Sequence, residues 1–398
     1  MKTLFFVFDG LADFPEGKTP LSEAEKPNID FLASRGVVGN LQLLKKSDWN
    51  EQTRASVSHL ANISLLGYDI RKFPLKRGIL EAISAGIEMK NGWLALRCDF
   101  ATIKDGIIVD RRAGRNIYGL DKIAKDLNKI KIGVPFIFKR TYGHRAVLVI
   151  KEKLSDNFEA NDPLSNNLPP KEFVAKDKQA EISVEIVKRF LEKAVKVLEK
   201  HRVNKERIRK GILPANYLLF REPGNKIITL TPSFKSRFHV KPLVISEAGV
   251  MKATCMLAGF DAIDIPEGLD YKSGIKFIFE KIEECLTSYD FIYAHIKWTD
   301  EAAHDGDFER KKKIIEEFDK YLENYKNFEG KIVITTDHIT SCKTRKHEFG
   351  NVPVLISPVK SKKKFKTFDE FEAMRGIKLN PTKLWKIVFS KVSKSKIS

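Results

Sequence analysis

Short runs of apolar residues recur near both ends of the chain, and each has acidic or histidine residues beside it. The runs span residues 3–8, 291–296, 331–335 and 352–356. Runs of this length that are rich in β-branched and aromatic residues are typical of buried strands in a parallel sheet. The pattern therefore predicts an α/β fold with a mostly parallel sheet flanked by helices.

Six acidic and histidine side chains lie beside these four runs. They are Asp9 after the first run, Asp300 and His304 after the second, Asp337 and His338 after the third, and His347 before the fourth. In parallel sheets, binding and catalytic sites lie outside the carboxyl ends of the strands. We therefore expect these six side chains to form one shared site. Three carboxylates and three imidazoles are suited to a two-metal centre for phosphoryl transfer. Because the set lacks a thiolate, it suits Mn²⁺, Zn²⁺, Co²⁺ or Mg²⁺.

The spacing of Asp300 and His304 predicts that both can reach one ion. Residues four apart lie on the same face of a helix. Taken alone, this pair is also typical of a capping aspartate beside a surface histidine, and His347 alone is typical of a surface histidine. The metal-site hypothesis therefore depends on the residues occurring together.

The central part of the chain has a different pattern and predicts an inserted α+β domain. Hairpin-like strands are expected at residues 93–103, 134–138 and 146–150, around a basic cluster at 110–115. A long helix is expected from about residue 180 to 201. We predict a metal-binding domain formed by residues 1–78 and 235–398, and a substrate-binding domain formed by residues 79–234.

Composition and charge narrow the function classes. The 398 residues carry a formal charge of +19, which can attract nucleic acid, anionic membranes or small anionic substrates. The lysines are spread along amphipathic segments and the tail at 390–398, without a nucleic-acid-binding motif. We expect neither a membrane span nor a secretory signal, because the apolar runs are too short to cross a bilayer and residues 1–9 do not have the pattern of a signal peptide. We expect a cytoplasmic protein, no membrane partner and no nucleic-acid partner.

Ser58 is the candidate nucleophile. The apolar pattern from Ser58 to Leu66 predicts a helix, and a phosphate on a hydroxyl at its start would face free backbone N–H groups. A serine hydroxyl close to a bound metal can attack phosphorus. From the residues alone, Ser56, Ser58 and Ser64 are also suited to capping or surface positions.

Nine motifs in order give the chain a resemblance that covers nearly its full length. They lie at residues 7–10, 19–21, 27–30, 58–69, 110–115, 144–145, 300–307, 336–338 and 352–354. On these motifs the chain resembles the archaeal type of cofactor-independent (2,3-bisphosphoglycerate-independent) phosphoglycerate mutases, within the alkaline phosphatase superfamily. The resemblance implies an alkaline-phosphatase-like domain and interconversion of 3-phosphoglycerate and 2-phosphoglycerate in glycolysis and gluconeogenesis.

The resemblance also implies roles for individual residues. Ser58 would be phosphorylated, one metal would be held by Asp9, Ser58, Asp337 and His338, and the other by Asp300, His304 and His347. Substrate-binding residues would be Asp110, Arg112, Arg115, His144, Arg145, Arg221 and, in the returning segment of the first domain, Lys252. The implied cofactors are two divalent ions, with Mn²⁺ favoured and no 2,3-bisphosphoglycerate, and the implied partner is a small phosphorylated substrate. An oligomer is compatible with this interpretation.

Two departures from the family pattern keep other functions open. The serine lies in a Val57-Ser58-His59 context instead of Gly-Ser-Asp, and an Asp-Pro-His loop is represented by Asp162-Pro163-Leu164. One alternative is a metal-dependent phosphatase, or an enzyme acting on another phosphate ester or a phosphonate. Another is a paralogue with impaired catalysis that binds polyanions. Product analysis separates the first alternative from the mutase, and salt-sensitive polyanion binding without turnover identifies the second.

Overall fold

The chain forms two compact units. The computed structural model describes residues 2–50, 53–54 and 57–390, so the basic tail from residue 391 onward lies outside the described residues. The first unit comprises Met1–Phe73, Thr229–Glu247 and Thr254–Ser398, and the second comprises Pro74–Ile228 and Ala248–Ala253. Lys252, predicted in the returning segment of the first domain, therefore groups with the second unit.

Seventeen strands are described. In chain order they are β1 (Lys2–Phe8), β2 (Val37–Leu41), β3 (Trp93–Lys104), β4 (Ile107–Asp110), β5 (Phe136–Arg140), β6 (Arg145–Lys153), β7 (Phe158–Glu159), β8 (Val174–Ala175), β9 (Tyr217–Gly224), β10 (Pro242–Ser246), β11 (Asp261–Asp264), β12 (Phe291–Ile296), β13 (Gly330–Thr336), β14 (Ile339–Ser341), β15 (Lys346–Glu348), β16 (Val352–Ser357) and β17 (Ile377–Leu379).

The main helices are labelled in the same way. They are α1 (Pro20–Glu23), α2 (Pro27–Ser34), α3 (Val57–Leu65), α4 (Arg77–Ser84), α5 (Leu120–Leu127), α6 (Lys178–Lys200), α7 (Arg202–Arg209), α8 (Phe234–Phe238), α9 (Val250–Leu257), α10 (Tyr271–Cys285), α11 (Trp298–Asp305), α12 (Phe308–Leu322), α13 (Glu370–Arg375) and α14 (Pro381–Val388). The helices predicted around Ser58 and over residues 180–201 are confirmed as α3 and α6.

The first unit is built on an eight-stranded sheet with the order β11-β10-β12-β1-β13-β16-β2-β17. The five strands from β11 to β13 in this order are parallel to one another, which confirms the predicted mostly parallel α/β sheet. The run at 352–356 was predicted to be parallel, and this was wrong, because β16 is antiparallel to both β13 and β2. The short hairpin of β14 and β15 reverses the chain after β13.

Both faces of β1 are buried, which explains why its sequence is an unbroken apolar run. The Phe5 ring lies 5.0 Å from that of Trp385 on α14. The neighbouring Phe6 ring, on the opposite face, lies 4.9 Å from that of Phe318 on α12. Helices therefore cover the sheet on both sides, so polar chemistry is confined to its edges and strand ends.

The second unit contains a mainly antiparallel sheet with the order β4-β3-β6-β5, and β9 pairs with the other side of β3. Its apolar face packs on α5 and α6, and the core includes the fully buried rings of Phe100, Phe190 and Phe220. Helix α6 begins where the Asp177 carboxylate accepts a hydrogen bond from Ala180 N.

None of the described helices combines the length and the apolar character that a membrane span requires.

Candidate active site

The six predicted ligand residues come together at one edge of the first unit's sheet. Asp9 and Asp337 follow the adjacent parallel strands β1 and β13, and α11 follows β12 on the other side of β1. The antiparallel direction of β16 places its amino end at this same edge. His347, on β15, is directly opposite Thr340 on β14. The three-dimensional arrangement therefore joins residues from both ends of the chain.

Ser58, Asp9, Asp337 and His338 form a first group. The Ser58 hydroxyl donates a hydrogen bond to Asp337 Oδ2 over 2.7 Å. His338 Nε2 lies 2.9 Å from Asp9 Oδ1 and 3.6 Å from Asp337 Oδ1. We call these residues the nucleophile group, because it contains the candidate nucleophile Ser58.

Asp300, His304 and His347 form a second group next to the first. The two imidazole Nε2 atoms lie 3.0 Å apart. Asp300 Oδ2 is 3.4 Å from His304 Nε2, and Asp300 Oδ1 is 3.6 Å from His347 Nε2. Asp300 and His304 lie one turn apart on α11, as their spacing predicted. We call this set the histidine group.

Backbone carbonyls orient both imidazoles of the histidine group. His304 Nδ1 lies 2.9 Å from the carbonyl oxygen of Arg345, and His347 Nδ1 lies 2.8 Å from that of Arg54. A carbonyl can only accept, so each Nδ1 carries the proton and each Nε2 is left to bind a ligand. Both free nitrogens point into the same space.

The Thr340 hydroxyl connects the two groups. It donates to Asp300 Oδ1 over 2.6 Å and lies 3.1 Å from His338 Nδ1. Since its single proton is directed to the carboxylate, the hydroxyl accepts from His338 Nδ1–H. Thr340 thereby orients one residue of each group.

His295 is a member of the site that sequence analysis missed. It is the penultimate residue of β12, it is buried, and its Nε2 lies 4.0 Å from Asp337 Oδ2. The only sequence signal was one histidine in the apolar run at 291–296, and such a residue is equally typical of a hydrogen-bonded core histidine. Ligand atoms of Asp9, His295 and Asp337 lie within 4.8 Å of one another.

The close approach of carboxylates and imidazoles changes their pKa values. Burial raises the pKa of Asp9, and the charges of Asp337 and Asp300 raise it further. For His338, burial opposes the charged form, but Asp337 and Asp9 outweigh it and raise the pKa to about 10. Burial likewise opposes charge on Asp337, yet His338 and His295 hold its pKa below the ordinary value. The site therefore stabilises positive charge among its carboxylates.

The residues fit divalent metal ions. Among the described residues, Asp9 Oδ1, His295 Nε2 and His338 Nε2 are buried atoms without a hydrogen-bond partner of acceptable geometry. Ligand atoms of Asp300, His338 and His347 also lie within 4.8 Å of one another. Buried polar atoms that lack partners are costly in a protein, and a cation between them removes that cost. The mixture of oxygen and imidazole nitrogen suits the metals named from the sequence.

The second unit contains a separate cluster of cations around a buried carboxylate, Asp99. Arg221 Nη2 lies 3.1 Å from Asp99 Oδ2, and Arg97 Nη2 and His144 Nε2 lie 3.5 Å and 3.6 Å from Asp99 Oδ1. Arg221 and His144 were predicted site residues, whereas Asp99 and Arg97 were missed. Asp99 and Arg97 both lie within the mostly apolar strand β3. The sequence shows that they are charged, but it does not show which residues they contact.

Burial and charge set the ionisation of this cluster. Burial opposes ionisation of Asp99, but Arg97 and Arg221 hold its pKa far below the ordinary value. Burial lowers the pKa of His144 to about 3, so this imidazole is neutral at pH 7. Burial also lowers the pKa of Arg221, to about 10, which leaves the guanidinium charged. The two arginines are thus charged and paired with carboxylates, because Glu81 also lies beside Arg97 and Asp162 beside Arg221, and the imidazole beside them is neutral.

Other predicted substrate residues lie in the same unit. Arg145 is opposite Asp99 across β3 and β6. Arg112 and Arg115 are exposed to solvent along much of their side chains. Partial loss of hydration of the Arg112 guanidinium and the positive charge of Arg115 lower the pKa of Arg112. Asp110 Oδ1 accepts a hydrogen bond from Arg112 N over 2.6 Å, and this bond orders the turn that carries both arginines.

Lys252 and Asp162 have well-defined local contacts. Lys252 is buried, and its Nζ donates to the carbonyl oxygen of Ser84 over 3.0 Å. Asp162, from the loop that departs from the family pattern, accepts a hydrogen bond from Arg111 Nε over 2.8 Å. His59, the other departure, is buried in α3 directly after Ser58.

Comparisons with known proteins agree on one family. The family described as "2,3-bisphosphoglycerate-independent phosphoglycerate mutase" matches residues 33–204. A mutase of that description from Archaeoglobus fulgidus is 38% identical over 392 residues, covering 94% of this chain and 94% of its own. The cofactor-independent phosphoglycerate mutase of Thermoplasma acidophilum has a similar structure, with 30% identity, a TM-score of 0.60, and coverage of 95% of this chain and 96% of its own. The PH0037 protein of Pyrococcus horikoshii is 27% identical with a TM-score of 0.76, covering 100% and 98%.

Proposed function

Because this chain belongs to the family of 2,3-bisphosphoglycerate-independent phosphoglycerate mutases, we propose that it interconverts 3-phosphoglycerate and 2-phosphoglycerate through a phosphoserine at Ser58. The observation that carries this proposal is the position of the Ser58 hydroxyl. It lies 2.7 Å from Asp337 Oδ2, within a set of ligands suited to two metals. No other cofactor is required for the transfer.

The two residue groups of the first unit would hold the metals. The nucleophile group would bind one ion and the histidine group the other, and Mn²⁺ is the favoured metal, with Zn²⁺, Co²⁺ and Mg²⁺ as alternatives. When bound, divalent cations stabilise the negative charge that develops on the phosphoryl oxygens and on the serine oxygen.

The chain's own residues orient the nucleophile. The hydrogen bond from Ser58 to Asp337 directs the hydroxyl proton to the carboxylate and turns the oxygen lone pairs away from it. In the first transfer the Ser58 Oγ–P bond forms, the bond from phosphorus to the glycerate oxygen breaks, and the departing glycerate oxygen takes the proton that Ser58 gives up. Glycerate then reorients and its other hydroxyl attacks the same phosphorus. The Ser58 Oγ–P bond breaks, and the proton of the attacking hydroxyl passes to Ser58 Oγ.

Residues of the second unit would bind the glycerate during reorientation. The glycerate carboxylate and the phosphoryl group of the substrate are anionic, and guanidinium groups are suited to bind such anions. The candidates are Arg112, Arg115, Arg145 and Arg221. The neutral imidazole of His144 can hydrogen-bond a hydroxyl without adding charge. Lys252 and Asp110 complete the proposed set. Exclusion of water at this stage distinguishes a mutase from a phosphatase.

A coupled assay tests the function directly. Formation of 2-phosphoglycerate from 3-phosphoglycerate is measured with Mn²⁺ and with EDTA, while released phosphate is measured in parallel. We expect metal-dependent isomerisation with little free phosphate. Stoichiometric phosphate release would contradict the mutase proposal and indicate a hydrolase.

Replacing the nucleophile tests the phosphoserine. Ser58→Ala should lower kcat by at least ~10³-fold and abolish labelling of the protein by phosphate-labelled substrate. Ser64→Ala is the matched control, because Ser64 lies on the same helix and its hydroxyl binds the carbonyl oxygen of Leu43 instead of a ligand residue. Normal turnover by Ser58→Ala would overturn the assignment.

The location and assembly of the enzyme stay predictions. We propose a cytoplasmic enzyme, because its substrate is a small phosphorylated metabolite. An oligomer is compatible with the proposed site.

A further inference from the structure

A buried amide lies one helical turn after the candidate nucleophile. Asn62 is 1% exposed, and its Nδ2 donates to two acceptors, Asp337 Oδ2 over 2.9 Å and the Ser58 carbonyl oxygen over 2.7 Å. The same nitrogen lies 3.4 Å from Ser58 Oγ. The amide therefore contacts the backbone and side chain of Ser58 and the carboxylate that accepts the serine hydroxyl.

A second buried residue fixes the orientation of that amide. The Tyr293 hydroxyl donates to Asn62 Oδ1 over 2.7 Å, and Tyr293 is fully buried in β12. The Ser58 carbonyl oxygen and the Asp337 carboxylate can only accept, so the Asn62 NH₂ group must face them and the Tyr293 hydroxyl donates to the amide oxygen. The orientation of the amide is thus determined by a strand two positions across the sheet from β13.

The contacts converge on one oxygen atom. Asp337 Oδ2 accepts from both Ser58 Oγ and Asn62 Nδ2, and these two donors come from successive turns of α3. Two donors on one oxygen restrict the rotation of the carboxylate about its Cβ–Cγ bond. Asp337 Oδ1 remains directed to Gly10 N, 3.2 Å away, and to His338.

We infer that Asn62 is a positioning residue that holds Ser58 and Asp337 in the geometry for phosphoryl transfer, with Tyr293 holding the amide. This inference rests on the proposed function. Asn62 acts through its two neighbours and has no role in bond making. Loss of such a supporting partner typically costs 10–100-fold in metal affinity or activity.

Two substitutions test the inference at different strengths. Asn62→Ala removes both donors and should lower kcat by roughly 10–100-fold, with KM changed by less than about 3-fold. Tyr293→Phe removes only the hydroxyl that fixes the amide, so we expect a smaller loss of about 3–10-fold in the same direction. A lower kcat with a nearly unchanged KM indicates that the substitution disturbs the reacting groups and leaves substrate binding intact.

Metal affinity supplies a readout that does not depend on turnover. Titration of the metal-free protein with MnCl₂ by calorimetry should show roughly 10-fold weaker binding for Asn62→Ala. Asn28→Ala is the matched control, because Asn28 is also buried in the first unit and its Nδ2 donates to Asp319 Oδ2 over 3.0 Å. It should lower the melting temperature to a similar extent while leaving kcat and Mn²⁺ affinity unchanged.

The outcomes separate this inference from the proposed function. Wild-type protein that fails to isomerise 3-phosphoglycerate contradicts the proposed function, and the Mn²⁺ titration then still decides the role of Asn62. Wild-type kcat and Mn²⁺ affinity in Asn62→Ala would overturn the inference alone. The inference would also be overturned if Asn62→Ala and Asn28→Ala lowered the melting temperature equally and Asn62→Ala lost no more kcat and Mn²⁺ affinity than Asn28→Ala. If Asn62→Ala does not fold, Tyr293→Phe decides by the same criteria.

Discussion

A single hydroxyl group determines which ring nitrogen of neutral His338 carries the proton. The Thr340 Oγ1 proton is donated to Asp300, 2.6 Å away, so the imidazole must present Nδ1–H to Thr340. The lone pair for a metal is then on Nε2, beside Asp9. In the proposed metal site, this second contact of His338 is as much a part of the site as the ligand atom itself.

Replacement of Thr340 tests this relation. Thr340→Val keeps the shape of the side chain but leaves His338 Nδ1 and Asp300 without their shared partner, so Mn²⁺ affinity should fall by about 10–100-fold. Thr340→Ser retains the hydroxyl and should stay within about 3-fold of the wild-type affinity. Calorimetric titration of the three proteins measures the effect. Equal affinity in Thr340→Val would show that Thr340 does not orient the ligands.

At the scale of the element, the turn after β1 must allow a very close approach. Gly10 has φ of 59°, and a Cβ atom there would overlap Thr340 Oγ1 and lie 2.6 Å from Asp300 Oδ1. Its N–H also donates to Asp337 Oδ1. The strand can therefore deliver Asp9 to the other ligands only because the next residue has no side chain.

Substitution of this glycine should damage both stability and the site. Gly10→Ala is expected to destabilise the protein by about 1–3 kcal/mol through backbone strain alone, and the overlap should weaken Mn²⁺ binding by at least ~10-fold. Gly17→Ala is the control, since Gly17 has φ of 96° and a Cβ added there would meet nothing within 4 Å. Thermal melts and Mn²⁺ titrations distinguish the two. Matching Mn²⁺ affinities in both variants would refute the steric argument.

At the scale of the whole molecule, the fold concentrates negative charge from distant parts of the chain. Asp9, Asp300 and Asp337 come from three strand connections, and the first unit is completed only when the chain returns from the second. Without metal, the proton on His338 offsets part of this charge, which explains why its pKa is raised from 6.5 to about 10. A cation supplied at this position should therefore stabilise the entire first unit.

The pH dependence of the metal-free protein tests this account. A pKa raised on folding gives stability that is complete below pH 6.5 and is lost as the pH rises towards 10. In EDTA the melting temperature should fall by roughly 5 °C across that window. His338→Gln lacks the titrating group and should show a clearly smaller decline. An equal decline in both proteins would assign the effect to other groups.

The strands and one helical pair of candidate ligands were predicted from local sequence patterns. The apolar runs identified β1, β12, β13 and β16, because a strand buried on both faces is composed mainly of apolar residues. The D-x-x-x-H spacing placed Asp300 and His304 on one helical face, since helical periodicity is a property of neighbouring residues. Six ligand candidates followed from their positions beside strand ends.

Only the tertiary structure decided how these elements combine. The antiparallel direction of β16 and the hairpin that presents His347 depend on pairings between segments far apart in sequence. Sequence analysis could not identify three of the site residues, which are Asn62, His295 and Asp99. A polar residue within an apolar run looks the same in the sequence whether it supports a site or makes a hydrogen bond in the core. Its role is set by the partner across the fold, and that partner is determined by the packing of the whole chain.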